Sequence, residues 1–347
     1  MQRVIKNLFV ELLQLSLGMC DRLSRVPSAS EWSALYQESQ RQAVLGIMVD
    51  GLERLPSEQL PQQRLLLQWI GLAQMNEGAY LHHREKAKIL TTHLQKKGYP
   101  SCVLKGIGLA QYYPVPTRRQ CGDIDMWVNG DRKELMDYLR SEYEITGIVW
   151  HHVVVQIFGD VETEIHFSPI WLHNPFYNVR VQRWFDSSKD KQMVVNEQLG
   201  FAYPSVGFNA VYSLLHSFHH LIEEGLGLRH IVDYFYILKK LPYDQKPAVV
   251  ENLKKFGLLK FAAGVMWVLG DVCGMSSEYL LCEPDEKEGL FLFDEIMRGG
   301  NFGHYRKDNR QRNTSSRMFA LLPHYPNEVL WVVPWKLWHR CWRLLNR

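Results

Sequence analysis

The sequence predicts an α+β fold, with a small mixed sheet within residues 98–204 held between an N-terminal helical region, 1–97, and a C-terminal helical region, 205–347. Three observations carry this reading. Apolar residues recur at helical spacing throughout 1–97; two short runs, GDIDMWV (122–128) and VETEIHF (161–167), alternate polar and apolar residues as strands do; and helical spacing returns after Ser205. At 347 residues the chain is long enough for two or three domains, and 46% hydrophobic residues support packed cores rather than disorder.

In chain order, the pattern predicts helices over 4–17, 31–55 and 62–97, with Ser30 as N-cap of the second, Glu31 in its first turn, and Pro56 and Pro61 separating the last two. Gly98-Tyr99-Pro100 breaks the third. Ser101 to Leu104 reads as a short strand, Lys105-Gly106-Ile107-Gly108 as a glycine-bearing turn, and the apolar run behind it as a helix. A hairpin is expected over 151–167 with its turn at Gly159-Asp160, and helices over 208–224, 228–240, 246–272 and 290–298.

Composition sets limits on function. The net charge of +3 is too small to announce nucleic-acid binding, although residues 301–347 hold nine Lys or Arg against Asp308 and Glu328, a local +7 that leaves about −4 for the rest. The cysteines at 20, 102, 121, 273, 282 and 341 form no C-x-x-C pair and read as reduced thiols. Asn7, Glu11 and Gln14 interrupt the apolar N-terminal run, no small-residue cleavage site follows it, and no stretch reaches the roughly 18–20 apolar residues that span a bilayer. A cytoplasmic location is expected.

The chemistry concentrates between Val103 and Val128. Asp123 and Asp125 flank Ile124 on a period-2 strand, so both carboxylates leave the same face. Two such charges about 4 Å apart at an effective dielectric near 20 repel by about 4 kcal/mol. A proton, a basic side chain or a divalent cation has to oppose that, and oxygen ligands favour a hard ion such as magnesium. Upstream, strand, turn and helix outline a phosphate cradle around Gly106, with Lys105 adding a positive charge, although two glycines equally serve a plain tight turn. Downstream, Glu162, Glu164 and His166 share one face of a second acidic strand, which can bring a third carboxylate to the same metal.

These residues, in the order LKG, YP, R-x-x-GDIDMWV and EIHF, resemble the uncharacterised nucleotidyltransferase family of the DNA polymerase β-like superfamily over roughly residues 30–240. The resemblance implies a nucleotidyltransferase core, with Lys105 and Gly106 at the nucleotide-binding turn. It implies that Asp123 and Asp125 are the first two metal carboxylates, Glu164 the third, and His166 the histidine that follows. Glu162 is the rival for the third position. Arg119, four residues before Asp123, falls at the family's R-x-x-G-D position and can neutralise the triphosphate, with Arg118 as its confounder and a surface ion pair as the alternative for either. The implied reaction moves a nucleoside monophosphate from a nucleoside triphosphate to a small-molecule or protein acceptor. Two Mg²⁺ ions would be held by Asp123, Asp125 and Glu164, with Glu164 also able to act as general base.

Three further features lie outside the motif. His216, His219 and His220 have metal-ligand spacing on a predicted helix, but no carboxylate or cysteine accompanies them at useful spacing, which favours packing or polar contacts. Arg229 and Asp233, at i and i+4, most simply pair on their helix, with nucleotide or acceptor binding as the alternative. After Pro334, Trp335, Trp338, Trp342 and Leu345 form one stripe and Lys336, Arg340, Arg343 and Arg347 the other. Such a helix either docks its aromatics into its own domain or makes a peripheral contact with an anionic membrane. Besides an active transferase, a retired core acting as a binding or regulatory protein and a toxin–antitoxin component remain alternatives; the altered turn at Lys105 favours the former, and a basic channel to Asp123 would mark the latter.

Overall fold

The computed structural model describes residues 2–188, 193–306 and 314–345. The N-terminal region is helical, as expected: α1 (Gln2–Ser16), α2 (Ala29–Arg41), α3 (Leu45–Leu52) and α4 (Gln63–Lys96). The N-cap of α2 is Ser28 rather than Ser30. Its hydroxyl accepts the Glu31 N–H at 3.3 Å while the Glu31 carboxylate accepts the Ser28 N–H at 2.8 Å, a reciprocal capping box. The single helix expected over 31–55 is two, because Ala43 takes a left-handed φ of 54°. The break turns the buried Gln42 side chain toward the C-terminal half, where it donates to the Ile296 carbonyl at 3.1 Å and accepts the Leu228 N–H at 3.1 Å.

Residues 101–204 form one seven-stranded mixed sheet from β1 (Ser101–Val103), β2 (Ile124–Val128), β3 (Ile145–Ile148), β4 (His152–Val155), β5 (Thr163–His166), β6 (Met193–Asn196) and β7 (Phe201–Pro204), in the order β3-β4-β5-β2-β1-β7-β6. The hairpin expected over 151–167 is β4 and β5. The helix-like run after the glycine turn is a single turn, α5 (Ile107–Ala110), too short for the helix dipole that a phosphate cradle would use. Central strand β2 is buried along its whole length rather than half-buried. Ile124, Met126 and Val128 pack with Leu90 and Leu94 of α4 and with Leu135 and Leu139 of α6 (Arg132–Glu142). On the opposite face Trp127 lies against Phe185 of α7 (Pro175–Ser188) and stacks on Phe208, at ring distances of 6.2 and 5.4 Å.

The C-terminal helices are α8 (Val206–Glu223), α9 (Leu228–Lys240), α10 (Lys246–Lys255), α11 (Leu259–Trp267), α12 (Glu286–Gly299), α13 (Thr314–Leu321) and α14 (Pro326–Leu345). The expected helix over 246–272 divides at Gly257, whose φ of 73° a side chain would resist. One apolar cluster runs from Leu8 and Phe9 of α1 through Trp127 to Val329 and Val332 of α14, so the two helical regions share a core with one face of the sheet. In α14, Trp335 docks inward, stacking on Trp171 at 5.7 Å, whereas Trp338 and Leu345 remain exposed. Lys307, Arg310, Arg312 and Arg347 of the basic C-terminal segment lie outside the described residues. No helix among the described residues is long and apolar enough to cross a membrane.

Helix α3 sets the turn that leads into β2. Arg118 pairs with Asp50 at 3.0 Å and Glu53 at 2.8 Å, and a methyl group at Gly46 would come within 2.3 Å of the Arg118 carbonyl oxygen. Gly46→Ala is therefore expected to destabilise the protein by about 1–3 kcal/mol through overpacking. Gly71→Ala, inside α4 with nothing within 4 Å, is expected to stabilise it by roughly 0.5–1 kcal/mol through helix propensity. Urea denaturation of the two variants checks both signs.

Candidate active site

Parallel pairing of β2 with β5 sets Asp125 directly beside Glu164 and Trp127 beside His166, while Asp123 lies just before β2 begins at Ile124. Asp125 is buried. Its Oδ1 receives Lys105 Nζ at 2.7 Å and His166 Nε2 at 2.9 Å, and the same His166 nitrogen lies 3.1 Å from Glu164 Oε2. Burial opposes the charge on His166, but these two carboxylates outweigh it and raise its pKa. Lys105 behaves alike: burial works against its charge, yet the acidic surroundings, led by Asp125, hold it protonated. Glu164 is held below the usual carboxylate range, burial being outweighed by His166 and Lys105. Asp125 and Glu164 thus face Lys105 and His166, basic side chains that offset the charge of this carboxylate pair.

Lys105 reaches Asp125 because the chain reverses at Gly106, whose φ of 52° favours glycine and whose Cα faces the Asp123 carbonyl. Asp123 and Glu164 line the cavity above this turn, while Glu162 lies exposed at the strand edge, its carboxyl pKa raised by partial burial and by Glu164. A ligand atom from each of Asp125, Glu164 and His166 lies within 4.8 Å of the others, and buried Asp125 Oδ2 has no partner. Those groups fit one divalent cation once His166 gives up its proton, which ties metal binding here to proton release. Asp123 stands outside that group of three.

The cavity, about 460 Å³, is closed on its other side by α8, α9 and α14. Histidines are prominent in it; the sequence singles out His166, His216, His219 and His220, but not His151, His152, His230 or His339. His152 Nε2 lies 3.4 Å from Glu164 Oε1, and its Nδ1 meets His151 Nε2 at 2.9 Å. Burial, then neighbouring His166, drives the His152 pKa down to about 2, and burial with His152 keeps His151 neutral as well.

The two arginines near the motif are placed otherwise than their spacing suggests. Arg119 is locked to Asp233 through Nε at 2.7 Å and Nη2 at 2.8 Å, with Nη1 on the Gln120 carbonyl at 3.3 Å; Tyr113 donates to the same carboxylate at 2.6 Å. The Asp233 carboxylate expected to pair with Arg229 is thus taken by a residue 114 positions away. Arg229 instead donates to the Gln120 carbonyl at 3.2 Å, faces the cavity, and keeps a buried Nε without a partner. Near the cavity, His173 bridges Glu223 of α8 at 2.6 Å and Glu328 of α14 at 3.0 Å, and Lys336 joins Glu223 at 2.8 Å.

The chain belongs to the uncharacterised nucleotidyltransferase family, whose profile matches residues 28–274 and so takes in the sheet, α8 and α9. That membership supports nucleotidyl transfer in general. Among solved structures the chain is similar to the crystal structure of an antigenic nucleotidyltransferase-like protein from Paracoccidioides brasiliensis, at 12% identity and a TM-score of 0.37, over 59% of this chain and 94% of that one. No curated protein matches the chain.

Two predictions follow from the buried pairs. Arg119→Ala leaves the Asp233 carboxylate buried without its counter-charge and is expected to cost about 3–5 kcal/mol in urea denaturation. Burial opposes the His173 charge, but Glu223 and Glu328 raise its pKa, so the stability it contributes is full below about pH 6.5 and is lost as pH rises through the higher folded value. Melting temperature against pH should show that decline, and Glu328→Gln should flatten it.

Proposed function

We propose that the protein is a magnesium-dependent nucleotidyltransferase that moves a nucleoside monophosphate from a nucleoside triphosphate to an acceptor hydroxyl. The observation that carries the reading is the juxtaposition of Asp125 and Glu164 in register on parallel strands, with Asp123 at the same cavity. The acceptor oxygen attacks the α-phosphorus and loses its proton; the bond from that phosphorus to the bridging oxygen breaks; pyrophosphate leaves. Asp123, Asp125 and Glu164 would hold the Mg²⁺ ions, which would neutralise the triphosphate and lower the pKa of the attacking hydroxyl.

The remaining roles fall to side chains that already face the cavity. Lys105 and His166, now on Asp125 and Glu164, would be free to meet phosphate oxygens if a cation took their place, and Gly106 would let the backbone approach the same phosphates. Glu164 accepts the acceptor proton. Arg119 acts as a positioning residue, because each of its three nitrogens already has a partner. Arg229, with its free Nε, supplies the contact to the triphosphate that the motif spacing assigns to Arg119.

A second reading has one observation in its favour. Lys105 Nζ sits 2.7 Å from Asp125, where a cation would bind, as in a retired core that recognises a ligand without transferring anything. Calorimetric titration of the four common nucleoside triphosphates, with and without Mg²⁺, separates the two. The active reading expects Mg²⁺-dependent binding that Asp123→Asn and Asp125→Asn abolish, and Arg229→Ala weakening triphosphate more than monophosphate binding. Nucleotide bound equally well without Mg²⁺ and by both aspartate variants would sink the metal assignment and favour the retired core.

A further inference from the structure

The α8–α9 corner brings together three histidines that the sequence separates. His216 and His220 are one turn apart on α8, and His230 stands in the first turn of α9. Their ring centroids lie 4.3, 5.8 and 5.4 Å apart, and one nitrogen from each falls within 4.8 Å of the others. His219, which the sequence groups with His216 and His220, points elsewhere, meeting Trp171 edge-on at 4.2 Å and stacking on His173 at 5.6 Å. His230 therefore replaces His219 in the set.

The corner is built to hold this geometry. Gly225 and Gly227 allow the turn to pack on the segment Asn301–Gly303, where a Cβ on either glycine would come within 2.8 Å of backbone atoms. Phe302 in that segment has a left-handed φ of 54° and lies over His220 and His230 at 4.9 and 5.5 Å. An outer hydrogen bond orients His230, and a carboxylate stands beside His220 without a hydrogen bond to it. His230 Nδ1 lies 3.3 Å from the Gly227 carbonyl, leaving Nε2 for the centre, and His220 Nδ1 lies 3.3 Å from Glu224, leaving its Nε2 2.9 Å from that of His216. A carboxylate or carbonyl behind a ligating imidazole is the usual outer arrangement of a metal site. Burial keeps His216 and His230 neutral, with a lone pair available.

We propose that His216, His220 and His230 form a three-histidine site for a zinc-class divalent ion, set in the α8–α9 wall of the cavity and separate from the carboxylates of β2 and β5. Neutral imidazoles are borderline donors that select Zn²⁺, Co²⁺ or Ni²⁺ over Mg²⁺. Tetrahedral coordination at 2.0–2.1 Å places nitrogens about 3.3 Å apart, a spacing these rings reach by side-chain rotation. Three protein ligands leave a fourth position, and all three histidines line the cavity, so water or an acceptor group completes the shell there. The site requires no nucleotide and stands whether or not transfer occurs.

Titration of the chelator-treated full chain with Co²⁺ tests this through the visible absorption of four-coordinate cobalt. The expected result is one equivalent of four-coordinate Co²⁺, displaced by Zn²⁺ but not by excess Mg²⁺. It should be retained in His152→Gln/Glu164→Gln and weakened in His220→Gln/His230→Gln by more than the roughly 10–100-fold that loss of an outer partner costs. No cobalt absorption in the wild type, unchanged affinity in the His220/His230 variant, or loss only in the His152/Glu164 variant would each overturn the proposal. If the His220/His230 variant fails to fold, Glu224→Gln at an exposed position decides: a 10–100-fold loss supports the site, and unchanged affinity overturns it.

Discussion

The burial of Asp125 is the constraint around which the rest of the site is organised. A carboxylate at 1% exposure in the middle of a sheet is tolerable only with counter-charges in good geometry. Lys105 and His166 supply them from the ends of two different strands, one on each side of β2. That requirement accounts for several otherwise separate features. Strand β1 must end where Lys105 can turn back, which calls for glycine at 106; β5 must run parallel to β2 in the register that sets Glu164 beside Asp125; and Trp127 must close the same face against α7 and α8.

A second buried carboxylate, Asp233, ties the helical regions to this arrangement. Its clamp on Arg119 and Tyr113 joins α9 to the loop entering β2, while α3 holds the neighbouring Arg118 through Asp50 and Glu53. The position of Asp123 is therefore fixed from both flanks, since the loop carrying it is anchored to an N-terminal helix and a C-terminal helix. Such double anchoring explains why a residue at a motif arginine position serves the scaffold: its guanidinium fork is used up in orienting the loop.

What the sequence disclosed followed from short-range periodicity. Alternation alone put Glu164 and His166 on one face of their strand, and proline and glycine punctuation located most helices. What it could not disclose was pairing at long range. Nothing local marks Asp233 as the partner of Arg119, or sets the register of Asp125 against Glu164. Helix breaks without punctuation were equally hidden, as at Ala43, where the tertiary contacts of Gln42 override a helical sequence. The histidines show the same limit: spacing groups His216, His219 and His220, but only the azimuth of α8 against α9 decides that His219 leaves the set and His230 joins it.

The cavity meets the cost of burying titratable groups in two opposite ways. The centre of the sheet, at β2 and β5, keeps its charges and pairs them, Asp125 and Glu164 against Lys105 and His166. Elsewhere burial strips the proton from His151, His152, His216, His219 and His230, so these rings contribute lone pairs and hydrogen-bond donors without charge. The basic side chains at the cavity are Lys105, Arg119, Arg229 and Lys336, the groups that would meet an incoming polyanion under the proposed function. A volume near 460 Å³ falls within the range of small-molecule sites. The α8, α9 and α14 wall sets His216, His219 and His230 beside Glu223, Glu224 and Lys336. Under the proposed function, that wall would suit a polar or metal-coordinating acceptor better than an apolar one.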